Sequence, residues 1–220
     1  APDAILLPAD FEEYGKYSRL FKAAVATIAP CIEDRGIDEI YIDLTDVSGD
    51  SVALASESKQ RVRDVTGLSW SSGRAPNKLL SKLASELQKP DGLTVLTHAD
   101  VPTRIWPLAA RKVNGIGPRA SDKLEGLGIL TVGDIANADP MMLIEQFGNS
   151  YGRWLHEAAH GRDERPVVTV REAKSTSRET NFERDLHAKR DRDTLSGVLL
   201  SLCTRLAEDL VRKGVVGKTI

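Results

Sequence analysis

Residues 36–44, with the sequence GIDEIYIDL, decide the fold because they alternate apolar and acidic side chains and are rich in β-branched and aromatic residues. This pattern predicts a β-strand. Helical spacing of apolar residues after Pro8, with Asp10 as N-cap, predicts a helix before it. Helices at 51–65 and 77–88, and short strands at 67–73 and 93–96, follow along the chain. The first part of the chain is therefore predicted to be a mixed α/β unit.

The sequence pattern changes after residue 107. Short helical segments separated by glycine-containing turns occupy residues 108–166 and predict a small all-α domain. The rest of the chain predicts strands at 167–170 and 175–182, an amphipathic helix at 191–212 and a further strand that begins at residue 215. The sequence thus predicts an α+β protein of several domains.

Composition excludes several classes of protein. The chain has 220 residues, of which 41% are hydrophobic, so it is neither disordered nor fibrous. Its formal net charge of −2 gives no overall basic field that would indicate a nucleic-acid partner. Two cysteines outside any CxxC pair predict a reducing compartment, the cytoplasm. No apolar run approaches the roughly 18 residues of a membrane helix, so no membrane partner is expected.

The densest acidic cluster is Asp38 and Glu39, set among isoleucines. Removing an ionised carboxylate from water costs several kcal/mol unless it is paired or bound to a metal. Hard oxygen ligands suit Mg²⁺. Because adjacent strand residues face opposite ways, the two carboxylates could share a metal only at a strand end or bulge. A solvated strand face is the alternative, and it stays open.

A turn that leads into a helix, Gly73–Lys78, is a second candidate site. Free backbone N–H groups at a helix start favour an anion, and Lys78 in the first turn strengthens a phosphate site. A solvated lysine is the alternative.

The segment 113–124 carries a more specific pattern, with Gly115-Ile-Gly117 between two short helices and Lys123 nearby. Such a turn exposes backbone amides to a phosphate, and glycine allows the close approach. The pattern resembles the helix-hairpin-helix, which binds the DNA backbone without reading sequence. A plain αα-hairpin is the alternative.

The sequence His156-Glu157-Ala-Ala-His160 fits HExxH, the spacing of a zinc site with a glutamate base. Glu179 or Glu183 would supply the third ligand. Against this hypothesis, Gly161 ends the helix, so His160 lies in the last turn, where an imidazole is favoured by the helix dipole.

Together these motifs resemble the Y-family of translesion DNA polymerases over essentially the whole chain. Residues 36–43 resemble the family's SxDEAYLD motif, and residues 73–82 resemble GIAxNKxxAK. Residues 113–124 resemble the thumb hairpin, and residues 174–182 resemble the first strand of the little finger. The resemblance implies a partial α/β palm at 1–107, an all-α helix-hairpin-helix thumb at 108–166, and an incomplete α/β little finger at 167–220.

The resemblance also implies roles for single residues. Asp38 and Glu39 would be catalytic carboxylates that hold two Mg²⁺ ions, and Lys78 would contact the deoxynucleoside triphosphate. Gly115, Gly117 and Lys123 would bind a phosphate of primer–template DNA. The same backbone would be followed by Ser175, Ser177 and Arg178. A sliding clamp is the partner expected for the whole protein.

The departures from the family pattern are as informative as the matches. The family's first catalytic aspartate lies in an N-terminal DxDxFF strand that is followed by the fingers domain, and neither occurs in this sequence. Gly36 and Arg74 replace a serine and an apolar residue. The expectation is a polymerase fragment that is inactive alone but able to bind DNA. The alternative is a non-catalytic DNA-binding or scaffold relative of the same family.

Overall fold

The computed structural model describes residues 3–170 and 172–219. They divide into two compact units, the first ending at Thr169 and the second beginning at Val170. The first unit begins with α1 (Phe11–Ala26), in which the predicted cap is confirmed because the Asp10 carboxylate accepts from the Glu13 amide at 3.0 Å. Helix α2 (Ser51–Thr66) is capped in the same way by Asp50. The two helices pack together through Val25 and Val62.

Between α1 and α2 lies a hairpin of β1 (Ile32–Asp34) and β2 (Ile40–Ile42), paired antiparallel with Ile32 opposite Ile42. The predicted strand at 36–44 was therefore too long, and its partner β1 was not predicted. Alternation marks residues able to form a strand, but only those that find a partner become one. Residues 36–39 instead form the turn of the hairpin.

A parallel pair of strands, β3 (Ser72–Arg74) and β4 (Leu93–Val95), is connected by α3 (Lys78–Leu87). Both strands are shorter than predicted. A side chain at Gly73 would clash with the α3 backbone, and the Gly73 carbonyl accepts from the Ser81 hydroxyl at 2.7 Å. Glycine at this position therefore allows the middle of α3 to pack directly against β3.

Helices fill the rest of the first unit, as the sequence predicts for residues 108–166. A π-helical turn (Val101–Ile105) precedes four helices, α4 (Pro118–Gly126), α5 (Val132–Asn137), α6 (Pro140–Phe147) and α7 (Asn149–Ala159). One buried core runs from α3 to α7 across the predicted boundary at 107. Its fully buried members include Leu79, Leu80, Leu96, Ile105, Leu124, Ile135, Leu143 and Leu155.

The second unit contains α8 (Arg192–Lys213), which matches the predicted amphipathic helix and ends at Gly214 in the left-handed conformation. The strands predicted at 167–170, 175–182 and from 215 are wrong for the residues that the structure describes, because none of these segments pairs with another strand. Ile220 lies outside the described residues. Within the described ranges, no helix has both the length and the apolar character needed to cross a membrane.

Candidate active site and nucleic-acid interface

Asp38 and Glu39 lie at the tip of the β1–β2 hairpin, just before β2 begins at Ile40. The Arg35 amide donates to the Glu39 carbonyl at 3.0 Å and closes the turn. Because the two acidic residues precede the strand, the opposite-face rule that would separate their side chains within a strand does not apply. Both are exposed and line one cavity of about 880 Å³.

The same cavity is lined by cationic side chains. Lys82 pairs with both Glu39 and Glu86. Burial alone would lower the pKa of Lys82, but its hydrogen bonds to the two glutamates outweigh burial and raise that pKa. The Glu39 carboxylate therefore has a protein cation beside it, and a metal ion at Glu39 would compete with Lys82. The other cations that line the cavity are Arg35, Arg74, Lys78, Lys89 and Arg165.

The donor chemistry of Asp38 and Glu39 fits a hard cation such as Mg²⁺, since both supply carboxylate oxygens. The nearby Asp43 carboxylate already accepts two hydrogen bonds from Thr45, from its amide at 2.9 Å and from its hydroxyl at 2.6 Å. Among the described residues, no group of three or more His, Cys, Asp or Glu side chains is arranged to hold a metal. The hairpin thus carries two carboxylates of suitable chemistry, and the rest of a coordination shell would have to come from other groups.

Lys78 lies in the first turn of α3, as predicted, but its side chain is not a solvated one. Its side chain is 10% exposed, and its Nζ donates to Glu33 at 2.5 Å and to the Pro166 carbonyl at 3.0 Å. The ammonium also lies 5.1 Å from the centre of the Tyr41 ring. Lys78 lines the same cavity as Asp38 and Glu39.

Glu33, which the sequence analysis did not single out, is the partner that holds Lys78. Its side chain is 1% exposed and also accepts from the Val168 amide at 2.9 Å. Burial by itself raises the pKa of Glu33, but the hydrogen bond from Lys78, the Val168 amide and the charges of Lys78 and Arg35 outweigh it and lower that pKa. Strand β1, helix α3 and the segment 166–168 thus meet at one carboxylate.

The turn at 113–117 precedes α4 and has a glycine where the backbone requires one. Gly115 has φ +112°, and the Ile116 amide donates to the Val113 carbonyl at 3.0 Å. Gly117, the N-cap residue, has no side chain to cap α4. Within the part of the chain that the structure describes, the amides of Gly117, Arg119 and Ala120 have no protein acceptor. Free amides at a helix start form an anion-binding site.

Lys123 lies on α4, and its amine donates to the Gln146 carbonyl at the end of α6. It also lies 5.0 Å from the centre of the Phe147 ring. The structure therefore places Lys123 on the helix that follows the turn, with its amine held against α6.

In the second unit, the side chains of Ser175 and Ser177 are both exposed. Arg178 pairs with Asp209 of α8 at 2.5 Å, and that ion pair raises the pKa of Arg178 and lowers the pKa of Asp209. The guanidinium is thus held by α8.

The two histidines of the HExxH pattern have local structural contacts. His160 Nδ1 lies 2.9 Å from the His156 carbonyl oxygen, and the two rings are 4.5 Å apart. Glu157 pairs with Arg162 at 3.2 Å. His160 follows the last residue of α7, as the glycine at 161 indicates.

Comparison with known proteins shows the family to which the chain belongs. Two models of the impB/mucB/samB family match the chain, one over residues 1–86 and the model of the C-terminal domain over residues 173–220. Together they cover more than half of the sequence. The DNA polymerase IV of Moorella thermoacetica is 37% identical over 224 residues, covering 100% of this chain and 55% of that protein. The DNA polymerase IV of Alkalilimnicola ehrlichii is 34% identical, covering 100% of this chain and 61% of that protein.

Solved structures give the same result. DinB from Sulfolobus solfataricus superposes with a TM-score of 0.68 at 29% identity, covering 76% of this chain and 50% of that one. A ternary complex of Dbh superposes with a TM-score of 0.67 at 29% identity, covering 76% of this chain and 51% of that one. The fold is that of a Y-family DNA polymerase. Within that class, the chain belongs to the impB/mucB/samB family, and it spans about half to three fifths of the length of its curated relatives.

Proposed function

We propose that this chain is the part of a translesion DNA polymerase that carries two catalytic carboxylates and a sequence-independent grip on DNA. The observation that supports this proposal is that Asp38, Glu39 and the buried Lys78 line the same cleft. In this proposal residues 1–107 belong to the palm, 108–166 to the thumb and 167–220 to the little finger. The whole protein would act in the cytoplasm with a sliding clamp.

Asp38, Glu39 and Lys78 each have a defined task in this proposal. Asp38 and Glu39 would hold Mg²⁺, which supplies charge neutralisation for in-line transfer of a nucleotide. An ammonium has three N–H donors, and Glu33 and the Pro166 carbonyl account for two of those of Lys78. The third is available to a phosphate oxygen of the incoming nucleotide.

The DNA contacts are expected to involve the backbone rather than the bases. The free amides of Gly117, Arg119 and Ala120 would bind a DNA phosphate, with Gly115 shaping the turn and Lys123 beside it. Ser175, Ser177 and Arg178 would contact the backbone elsewhere. Contacts of this kind position DNA without reading its sequence, as an enzyme that copies damaged templates requires.

The first test is binding of a primer–template duplex, followed by fluorescence anisotropy over a salt series. Gly117→Ala is the informative variant, because a Cβ there meets no protein atom within 4 Å yet projects where a phosphate would approach. We expect affinity to fall about tenfold, the effect of losing one hydrogen bond to a charged group. Gly126→Ala, at the other end of α4 and equally unobstructed, is the matched control and should bind as the parent does. Equal affinities for Gly117→Ala and the parent would contradict the phosphate site.

The second test is primer extension by this chain with Mg²⁺ and all four nucleotides. We expect no extension, because the hairpin supplies two metal ligands and the nucleotide is positioned by few groups. Binding without extension agrees with the proposal, whereas extension would show that the described carboxylates suffice.

The alternative function, a non-catalytic DNA-binding or scaffold relative, is favoured by one observation, the pairing of Glu39 with Lys82. Extension by the whole protein separates the two functions. Loss of that activity in Asp38→Asn would support the polymerase, and a whole protein that binds DNA but never extends it would support the scaffold.

A further inference from the structure

Two aromatic residues of α7 contact the turn at 113–117. The Tyr151 hydroxyl donates to the Gly115 carbonyl at 2.7 Å. The Trp154 ring lies against Gly115 so closely that a Cβ on Gly115 would be 2.5 Å from Trp154 Cη2. The two rings are stacked, with centroids 5.2 Å apart and planes inclined by 25°. Sequence analysis assigned neither residue, because both lie more than 35 positions away from Gly115.

These contacts fix one peptide unit at both ends. The Gly115 carbonyl and the Ile116 amide belong to the same planar unit. The carbonyl is bonded to Tyr151, and the amide is bonded to the Val113 carbonyl at 3.0 Å. Only the φ and ψ of the buried Ile116 separate this fixed peptide from the next amide, that of Gly117, which has no acceptor among the described residues.

We infer that Tyr151 and Trp154 are positioning residues that hold the Gly117 amide in the direction needed to bind a DNA phosphate. The inference rests on the proposed function, because it concerns how the same phosphate site is held. Neither side chain needs to touch DNA. Tyr151 supplies a hydrogen bond, and Trp154 supplies a rigid surface that a glycine alone can approach.

The hydroxyl of Tyr151 is suited to this task over a wide pH range. Partial burial raises the pKa of Tyr151 above its ordinary value of 10.0, so the group remains a donor at any pH at which DNA binding is measured. Tyr151 therefore keeps its proton when the turn binds a phosphate.

Tyr151→Phe tests the inference with little change in packing, because it keeps the stacked ring and removes only the hydroxyl. We expect the affinity for a primer–template duplex to fall about three- to tenfold, the range for loss of one neutral hydrogen bond. The dependence of affinity on salt should keep its slope, since that slope counts phosphates neutralised by charged side chains. Tyr14→Phe on α1, where the side chain is largely exposed, is the matched control and should bind as the parent does.

A double-mutant cycle distinguishes positioning from general weakening. If Tyr151 acts through the Gly117 amide, Tyr151→Phe/Gly117→Ala should bind no more weakly than Gly117→Ala alone. Additive losses would overturn the inference, as would an unchanged affinity of Tyr151→Phe. If the parent chain binds no DNA, or if Gly117→Ala binds normally, the proposed function itself fails. If Gly117→Ala weakens binding and Tyr151→Phe does not, only the positioning role fails.

Discussion

Replacing Glu33 with glutamine is expected to lower the free energy of unfolding of the first unit by about 3 to 5 kcal/mol, the range measured when one partner of a buried ion pair is removed. Glutamine has nearly the same volume as glutamate, so the change removes charge without opening a cavity. It leaves the ammonium of Lys78, whose side chain is only 10% exposed, without a counter-charge. It also replaces the charged carboxylate that accepts a hydrogen bond from the Val168 amide with an uncharged amide oxygen, which is a weaker acceptor.

The measurement is urea unfolding followed by tryptophan fluorescence. All three tryptophans, Trp70, Trp106 and Trp154, belong to the first unit, so the signal reports that unit alone. The control is Glu33→Gln/Lys78→Met, in which both charges are absent and most of the lost stability should return. A loss below about 1 kcal/mol in the single variant, the size typical of exposed pairs, would show that the pair is not buried in solution.

The effect should depend on pH in a defined direction. The pKa of Glu33 is lowered in the folded chain from its ordinary value of 4.5. A carboxyl with a lowered pKa adds stability above its unfolded pKa and loses that contribution as the pH falls through its folded pKa. The difference between the parent and Glu33→Gln should therefore be full at pH 7 and shrink below about pH 4.5.

Glu33 also illustrates what sequence reasoning missed. Its contacts with Lys78 and Val168 join residues 45 and 135 positions apart, and no local spacing indicates such a pairing. Helices α1, α2, α3 and α8 were predicted well because apolar periodicity and capping residues are local signals. The positions of Asp38, Glu39 and Gly117 followed from motifs that are themselves local.

Strands were predicted less well for a physical reason. The alternation in residues 36–44 is real, but only Ile40–Ile42 finds a partner, in the unpredicted strand Ile32–Asp34. Residues 175–182 look like a strand yet pair with no other described segment. Helical hydrogen bonds lie within one segment, whereas strand pairing depends on a second segment that the local pattern does not specify.

Gly115→Ala is expected to cost about 2 to 6 kcal/mol in the free energy of unfolding, from two sources that add. A non-glycine residue at a rare positive φ costs about 1 to 3 kcal/mol, and forcing extra volume into a packed site costs about the same. Gly115 has φ +112°, and its new methyl would collide with the Trp154 ring. Tryptophan fluorescence during urea unfolding measures the loss.

Trp154→Leu separates the two sources. Removing the large ring makes room for the methyl group but leaves the backbone at the same φ. In that background, Gly115→Ala should therefore cost only about 1 to 3 kcal/mol, the strain alone. An equal cost in both backgrounds would show that Trp154 does not contact Gly115. A cost near zero in the parent would contradict the positive φ of the turn.

Comparing Gly117→Ala with Gly115→Ala separates the roles of the two glycines. Gly117 has an ordinary φ of −78° and open space around it, so alanine there causes no strain. The gain from a less flexible unfolded chain and the cost of alanine as an N-cap residue oppose each other, so the free energy of unfolding is expected to change by less than about 1 kcal/mol. Gly115→Ala should therefore lose stability and DNA affinity together, whereas Gly117→Ala should lose affinity alone. This separation assigns Gly115 to the shape of the turn and Gly117 to the approach of the phosphate. Parallel losses of stability in both variants would instead mean that the two glycines serve the fold alone.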